Sequence, residues 1–218
     1  MASLSPDADD GPGDAPITPS SPIEPSADVA ACLERLSALG VVFQEIDPID
    51  PGGVCPVAAP LEVTSLGSGV AITPKAILSC RAAEAFALWT RDAVIPAART
   101  HLDSVPTEIA QASSYVCRSR NNEAGAKLSE HAKANAVDIG SIGFASRPPH
   151  NVQTHASDEP EGRFDAAIRE GACKVFTTVL GPGSDAAHAT HLHLDMAERS
   201  GGYRLCELGE TNTAGPPP

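Results

Sequence analysis

Hydrophobic and polar positions along the chain repeat with two periods. Residues 28–36 carry the helical period, with Asp28 near the start and Gly40 past the end. Residues 41–46 predict a strand closed by Asp47-Pro48, and Gly52-Gly53 marks a turn. Residues 61–72 predict an extended segment. Thr73-Pro74 then opens the longest helical pattern, over 75–102, with Leu78, Ala82, Ala85, Phe86, Trp89 and Ala93 at helical spacing. Pro96 is expected to kink or break it, and Trp89 reads as core. Further on come an element starting over 106–109, a strand over 112–118, a loop over 127–135 and a strand over 136–139. An irregular stretch follows over 146–160, then a helix over 164–180 ended by Gly181-Pro182-Gly183. The last strand is predicted over 190–195. Its alternation puts Thr190, Leu192 and Leu194 on one face and His191, His193 and Asp195 on the other.

Strand and helix do not alternate regularly in this pattern. It predicts an α+β domain over 28–206, with helices packed on a small antiparallel sheet. Residues 1–27 hold six prolines and five acids and predict a disordered segment, as does the tail over 207–218.

Composition changes the picture in three ways. The 218 residues are 42% apolar but only 4% aromatic, so the core is expected to be mostly Ala, Val, Leu and Ile. A net charge of −13 argues against a nucleic-acid partner and against docking on anionic lipid, while leaving a cell-wall substrate open. No stretch approaches a transmembrane span. The six cysteines, Cys32, Cys55, Cys80, Cys117, Cys173 and Cys206, are dispersed and include no Cys-x-x-Cys pair. They predict disulfides of open pairing rather than a metal cluster, the alternative being buried free thiols. Disulfides imply an oxidising compartment, here the periplasm or the exterior. Residues 1–27 contain no Lys or Arg and no apolar run of signal-peptide length, so export is expected on the cysteines and not on a visible signal.

Four of the seven histidines lie in two short pieces, 129–138 and 188–195. A catalytic zinc site takes three ligands from His, Asp or Glu and leaves a position for water. His131 and Asp138 from the first piece, with His193 from the second, make such a set. His191 shares a strand face with His193. It is either a group beside the metal's open side or a fourth ligand that would close the site. His101, His150 and His155 have no partner spacing and are expected at the surface, as is Glu130.

The order Ser129-x-His131-x(6)-Asp138, then His191-x-His193, resembles the zinc peptidase group of lysostaphin-type endopeptidases and D-Ala-D-Ala carboxypeptidases, whose fold the hedgehog signalling domain shares. With Cys80-Arg81, Trp89, Ser114-Tyr115-Val116-Cys117-Arg118, Ala172-Cys173 and His188, the set resembles the bacterial extensin-like C-terminal domain family over residues 30–206. The resemblance implies a hedgehog/D-Ala-D-Ala peptidase-like fold and Zn2+ on His131, Asp138 and His193. It implies His191 as a partner of the metal water or the transition state, and Arg118 as the grip for a substrate carboxylate. His188 matches an accessory histidine of murein endopeptidases, the alternative being a turn histidine. Ser129 and Asp195 would orient ligands. The expected activity is a zinc metallopeptidase, hydrolysing peptidoglycan peptides. The alternative is a non-catalytic zinc-containing module that binds cell wall or protein, and peptide cleavage separates the two. One departure is Ala134, which stands where the peptidase motif usually has Gly.

Overall fold

A mixed sheet of nine strands carries the chain in this computed structural model, which describes residues 27–209 apart from 121, 122 and 124. The predicted segment 1–27 lies outside the described residues except for Ala27, and so does the tail beyond Gly209.

The elements in order are α1 (Ala27–Ala38), β1 (Val42–Glu45), β2 (Leu61–Ser65), β3 (Ala71–Leu78), α2 (Cys80–Trp89), α3 (Ile95–Leu102), β4 (Pro106–Ser113), β5 (Ala136–Phe144), β6 (His150–Asn151), α4 (Pro160–Val175), β7 (Thr178–Leu180), β8 (Leu192–Asp195) and β9 (Leu205–Cys206). The sheet order is β1-β2-β3-β4-β5-β8-β7-β9, with β6 added on β5. Most neighbours are antiparallel, but β3–β4 and β7–β9 are parallel. The architecture is therefore α+β as expected, while the sheet is larger than expected and mixed rather than antiparallel. The helix α2–α3 is the crossover that allows the parallel pair β3–β4, because parallel neighbours need a long connection.

Three departures from the sequence pattern have local causes. The helix expected from residue 75 begins at Cys80, because Ser79 caps it by accepting a hydrogen bond from the Ala82 amide at 3.2 Å. Residues 71–78 form β3 instead, and Pro74 falls where both flanking ladders lapse: β2 pairs with Ala71 and then Ala76, and β4 reaches only Thr73. No ladder bond is lost there. Pro96 neither breaks nor ends the helix. A π-helical turn, Thr90–Val94, joins α2 to α3, with the Ile95 amide bonding back to the Thr90 carbonyl. That wider register absorbs the missing proline donor. The helix expected over 164–180 runs from Pro160 to Val175, and the residues after it turn into β7.

α1, the continuous α2–α3 rod and α4 bury one core with the sheet. Trp89, Phe86 and Phe164 lie in it beside Val63, Ile109, Ile139 and Ile142, so Trp89 is a core residue. Its indole N–H donates to the Ile168 carbonyl at 2.7 Å, which satisfies its one polar atom.

Three disulfides staple this core: Cys32–Cys80 joins α1 to α2, Cys173–Cys206 joins α4 to β9, and Cys55–Cys117 ties the loop after β1 to the segment after β4. Their Cα separations, 6.2, 5.8 and 5.6 Å in that order, lie in the range of disulfide bridges. They fit an oxidising, non-cytoplasmic compartment. Thiol titration in denaturant without reductant is expected to find none, and free thiols in protein from its native compartment would contradict the bridges. Among the described residues no helix is long and apolar enough to cross a membrane.

Candidate metal centre

The centre is built on the pairing of β5 with β8. Asp138 and His193 are register partners across that antiparallel pair, so their side chains rise together from one face of the sheet. The last strand is shorter than expected, Leu192–Asp195, with Thr190 and His191 in the turn before it; within it the alternation holds, Leu192 and Leu194 in the core and His193 turned to the other side. His131 comes from a 3-10 turn, Glu130–Lys133, capped by Ser129, whose hydroxyl accepts from the His131 amide. Ala134 then takes a left-handed conformation, φ 54° and ψ 29°, that swings the chain into β5. Alanine thus makes the backbone turn for which glycine is usual, at a cost of about 1 kcal/mol.

The three side chains converge. His131 Nε2 lies 3.2 Å from Asp138 Oδ2 and 3.3 Å from His193 Nδ1, and His193 Nδ1 lies 2.8 Å from Asp138 Oδ1. A tetrahedral ion with bonds of about 2.0–2.1 Å needs ligand atoms roughly 3.3 Å apart, so little movement is required. The outer nitrogens are engaged elsewhere. His131 Nδ1–H donates to the Ser114 carbonyl at 2.6 Å, and His193 Nε2–H donates to Asp195 Oδ2 at 3.1 Å. These partners select the tautomers that turn lone pairs inward, at Nε2 of His131 and Nδ1 of His193. Asp195 is itself held, with Oδ1 accepting from the Ala197 amide at 2.9 Å. His131 is only 1% exposed, so no bulk water competes for its ring.

The sequence that carries this geometry matches a known family. A family model described as "Extensin-like protein C-terminus" matches residues 30–207. The chain belongs to the extensin-like C-terminal family. No curated protein and no solved structure matches it.

Around the three side chains this extensin-like domain opens a cleft of ≈ 550 Å³. His188, His191, Arg118, Arg120 and Arg199 line it, together with the carboxylates of Glu130, Asp138, Asp185 and Asp195. His191 Nε2 stands 3.7 Å from Asp138 Oδ1, beyond hydrogen-bond reach, with its ring 5.3 Å from that of His188. His188 ends a 3-10 turn, Ala186–His188, and its Nδ1 bonds Asp185 Oδ1 at 2.7 Å, as a satisfied turn histidine would, while its ring also lines the cleft. Arg118 lines the cleft and makes no ion pair among the described residues, its one side-chain bond being a long contact to the Ser119 carbonyl.

Several participants escaped the sequence reading. Ser114 acts through its backbone carbonyl, which leaves no side-chain signal. Asp185 precedes His188 by three residues and could have been found as a short-range partner. Arg199 reaches back to Thr178 Oγ1 at 2.6 Å, a contact that depends on β7 lying beside β8. Glu130 is buried rather than exposed. It accepts from Lys133 at 2.7 Å and Asn135 at 2.9 Å, and so braces the turn that carries His131. His150 and His155, expected as unpartnered surface residues, both bond Asp165.

In the metal-free protein burial opposes the charge on Asp138, yet hydrogen bonds with His131 and His193 outweigh it and hold the carboxyl well below its ordinary range. Burial likewise opposes the charge on His193, but its hydrogen bonds to Asp138 and Asp195 prevail and push it up to about 9. Burial pushes His191 below its ordinary value, with attraction to Asp138 opposing and repulsion from His188 adding. The His193 proton has a measurable consequence. Its stabilisation of the metal-free fold is complete below 6.5 and is lost as pH rises through about 9. A metal at Nδ1 must displace that proton, so zinc affinity should rise about tenfold per pH unit across that window. Competition against a chelating indicator calibrated at each pH measures this, and a flat profile would contradict it.

Proposed function

We propose that this domain is a zinc metallopeptidase that cleaves cell-wall peptides in the periplasm or outside the cell, where peptidoglycan lies. One observation carries the reading: two imidazoles and a carboxylate converge with their outer nitrogens occupied, on the wall of a cleft that also holds His191 and Arg118. The donor set is the kind a catalytic zinc ion takes, three protein ligands with room for water. A zinc ion there supplies Lewis-acid polarisation of a scissile carbonyl and activation of water for attack.

The chain's own groups supply the rest. His131, Asp138 and His193 hold the ion. Asp195 and the Ser114 carbonyl fix the ring tautomers. His191, whose charge burial disfavours, presents an imidazole N–H to a developing oxyanion, or first takes a proton from the attacking water and then passes it to the leaving amine. Asp185 positions His188 beside it. The Arg118 guanidinium can grip a substrate carboxylate with two parallel hydrogen bonds. Stem peptides of peptidoglycan carry such carboxylates.

The test is digestion of purified peptidoglycan by zinc-loaded protein. Soluble muropeptides should appear, stop with a chelator and return with zinc. If zinc-loaded protein leaves a broad set of muropeptides uncut, the domain is a binding module that keeps the metal without turnover.

A further inference from the structure

A second cluster of two imidazoles and a carboxylate lies where β6, paired with β5, meets the start of α4. His150 is on β6, His155 is in the loop after it, and Asp165 is near the start of α4. His150 Nε2 meets Asp165 Oδ1 at 2.6 Å and His155 Nδ1 meets Asp165 Oδ2 at 2.6 Å. The two rings are 4.7 Å apart, and one ligand atom from each of the three residues lies within 4.8 Å of the others. His150 is only 3% exposed, its ring seated against the face or edge of Phe164 at 5.0 Å, so it cannot swing away. His155 and Asp165 are partly open and line a cavity of ≈ 190 Å³, which leaves a side for solvent to approach.

We propose that His150, His155 and Asp165 form a second binding site for a divalent transition ion, with zinc the first choice. Two imidazoles and a carboxylate suit zinc and its neighbours and do not suit magnesium or calcium, which take oxygen ligands. Gln153 Nε2 contacts His155 Nε2 at 3.3 Å. A turn of that amide presents its oxygen to an N–H at Nε2, the tautomer that frees Nδ1 for the ion. The site is separate from the first centre and not half of a two-metal pair. His150 is paired with Ile142 and Asp138 is four residues back along β5, about 13 Å of strand, far beyond the roughly 3.5–4 Å of a two-metal site. An ion here would pin the loop after β6 to the first turns of α4, which follows it in the chain.

Equilibrium dialysis of the full chain at low micromolar free zinc tests this, with five proteins compared. Wild type should hold about two zinc ions per chain, His155→Gln one, His193→Ala one and the double variant none. His155→Gln changes a loop side chain, and circular dichroism checks each fold; Asp165→Asn serves as the second variant. Zinc should raise the melting temperature of His193→Ala and should not raise that of the double variant. Wild-type zinc content in His155→Gln and in Asp165→Asn would overturn the second site, leaving a hydrogen-bonded clamp. Full zinc content in His193→Ala would instead strike at the first centre, so the two failures are distinguishable.

Discussion

His193→Ala binds one zinc ion fewer than wild type and melts at a markedly lower temperature when metal-free. The side chain contributes one of three converging ligand atoms, and losing it leaves only His131 and Asp138. It also sits between two buried carboxylates, 2.8 Å from Asp138 and 3.1 Å from Asp195. Removing the charge that pairs them strands both in a low-dielectric site, which typically costs about 3–5 kcal/mol. For a domain of this size that is roughly 6–20 °C of melting temperature. Asp195 keeps its bond from the Ala197 amide, which puts the loss toward the lower end. Metal analysis after dialysis and a thermal melt measure the two effects. Asp138→Asn, which preserves shape and hydrogen bonding, should lose the same ion with a smaller drop in melting temperature. A His193→Ala protein with unchanged zinc content would show that the ligand assignment is wrong.

His191→Ala keeps its zinc and its fold and cleaves cell-wall peptide about a hundredfold to a thousandfold more slowly. His191 stands on the cleft side of His193, and its nearest atom is 3.7 Å from Asp138, so it contributes nothing to the converging ligand set. A group that acts only on the transition state alters turnover and leaves metal content and KM nearly unchanged. The substitution is partly exposed and empties no core volume, so stability should change by less than about 0.5 kcal/mol. Steady-state kinetics on a defined muropeptide, beside metal analysis, separate the cases. Loss of zinc in His191→Ala would make His191 a fourth ligand and close the site against catalysis. Equal rates in variant and wild type would place the oxyanion partner elsewhere, with His188 the next candidate.

Much of the candidate site was legible because its residues fall in two short pieces and follow strand alternation. Leu192 and Leu194 enter the core, which turns His193 outward regardless of what lies opposite. The Ser129–His131 turn carries its own cap and needs no distant partner. Legibility stopped where a group's role depends on how one element packs against another. Asp165 draws in His150 and His155 only because α4 packs beside β6. The helix pattern over 75–102 misled for the same reason: Ala71–Leu78 is apolar enough for either state, and pairing with β2 and β4 decided for strand.

The sequence alone determined the α+β class, the dispersed cysteines that become three bridges, and the order in which His131, Asp138 and His193 occur. Each follows from composition or from short-range spacing, which the chain carries before it folds. Tertiary structure decided the mixed sheet, the disulfide pairing and the convergence itself. Register pairing of Asp138 with His193 brings together residues 55 apart in sequence. No local pattern encodes that register, because it is set by which apolar faces of β5 and β8 the shared core can bury at once.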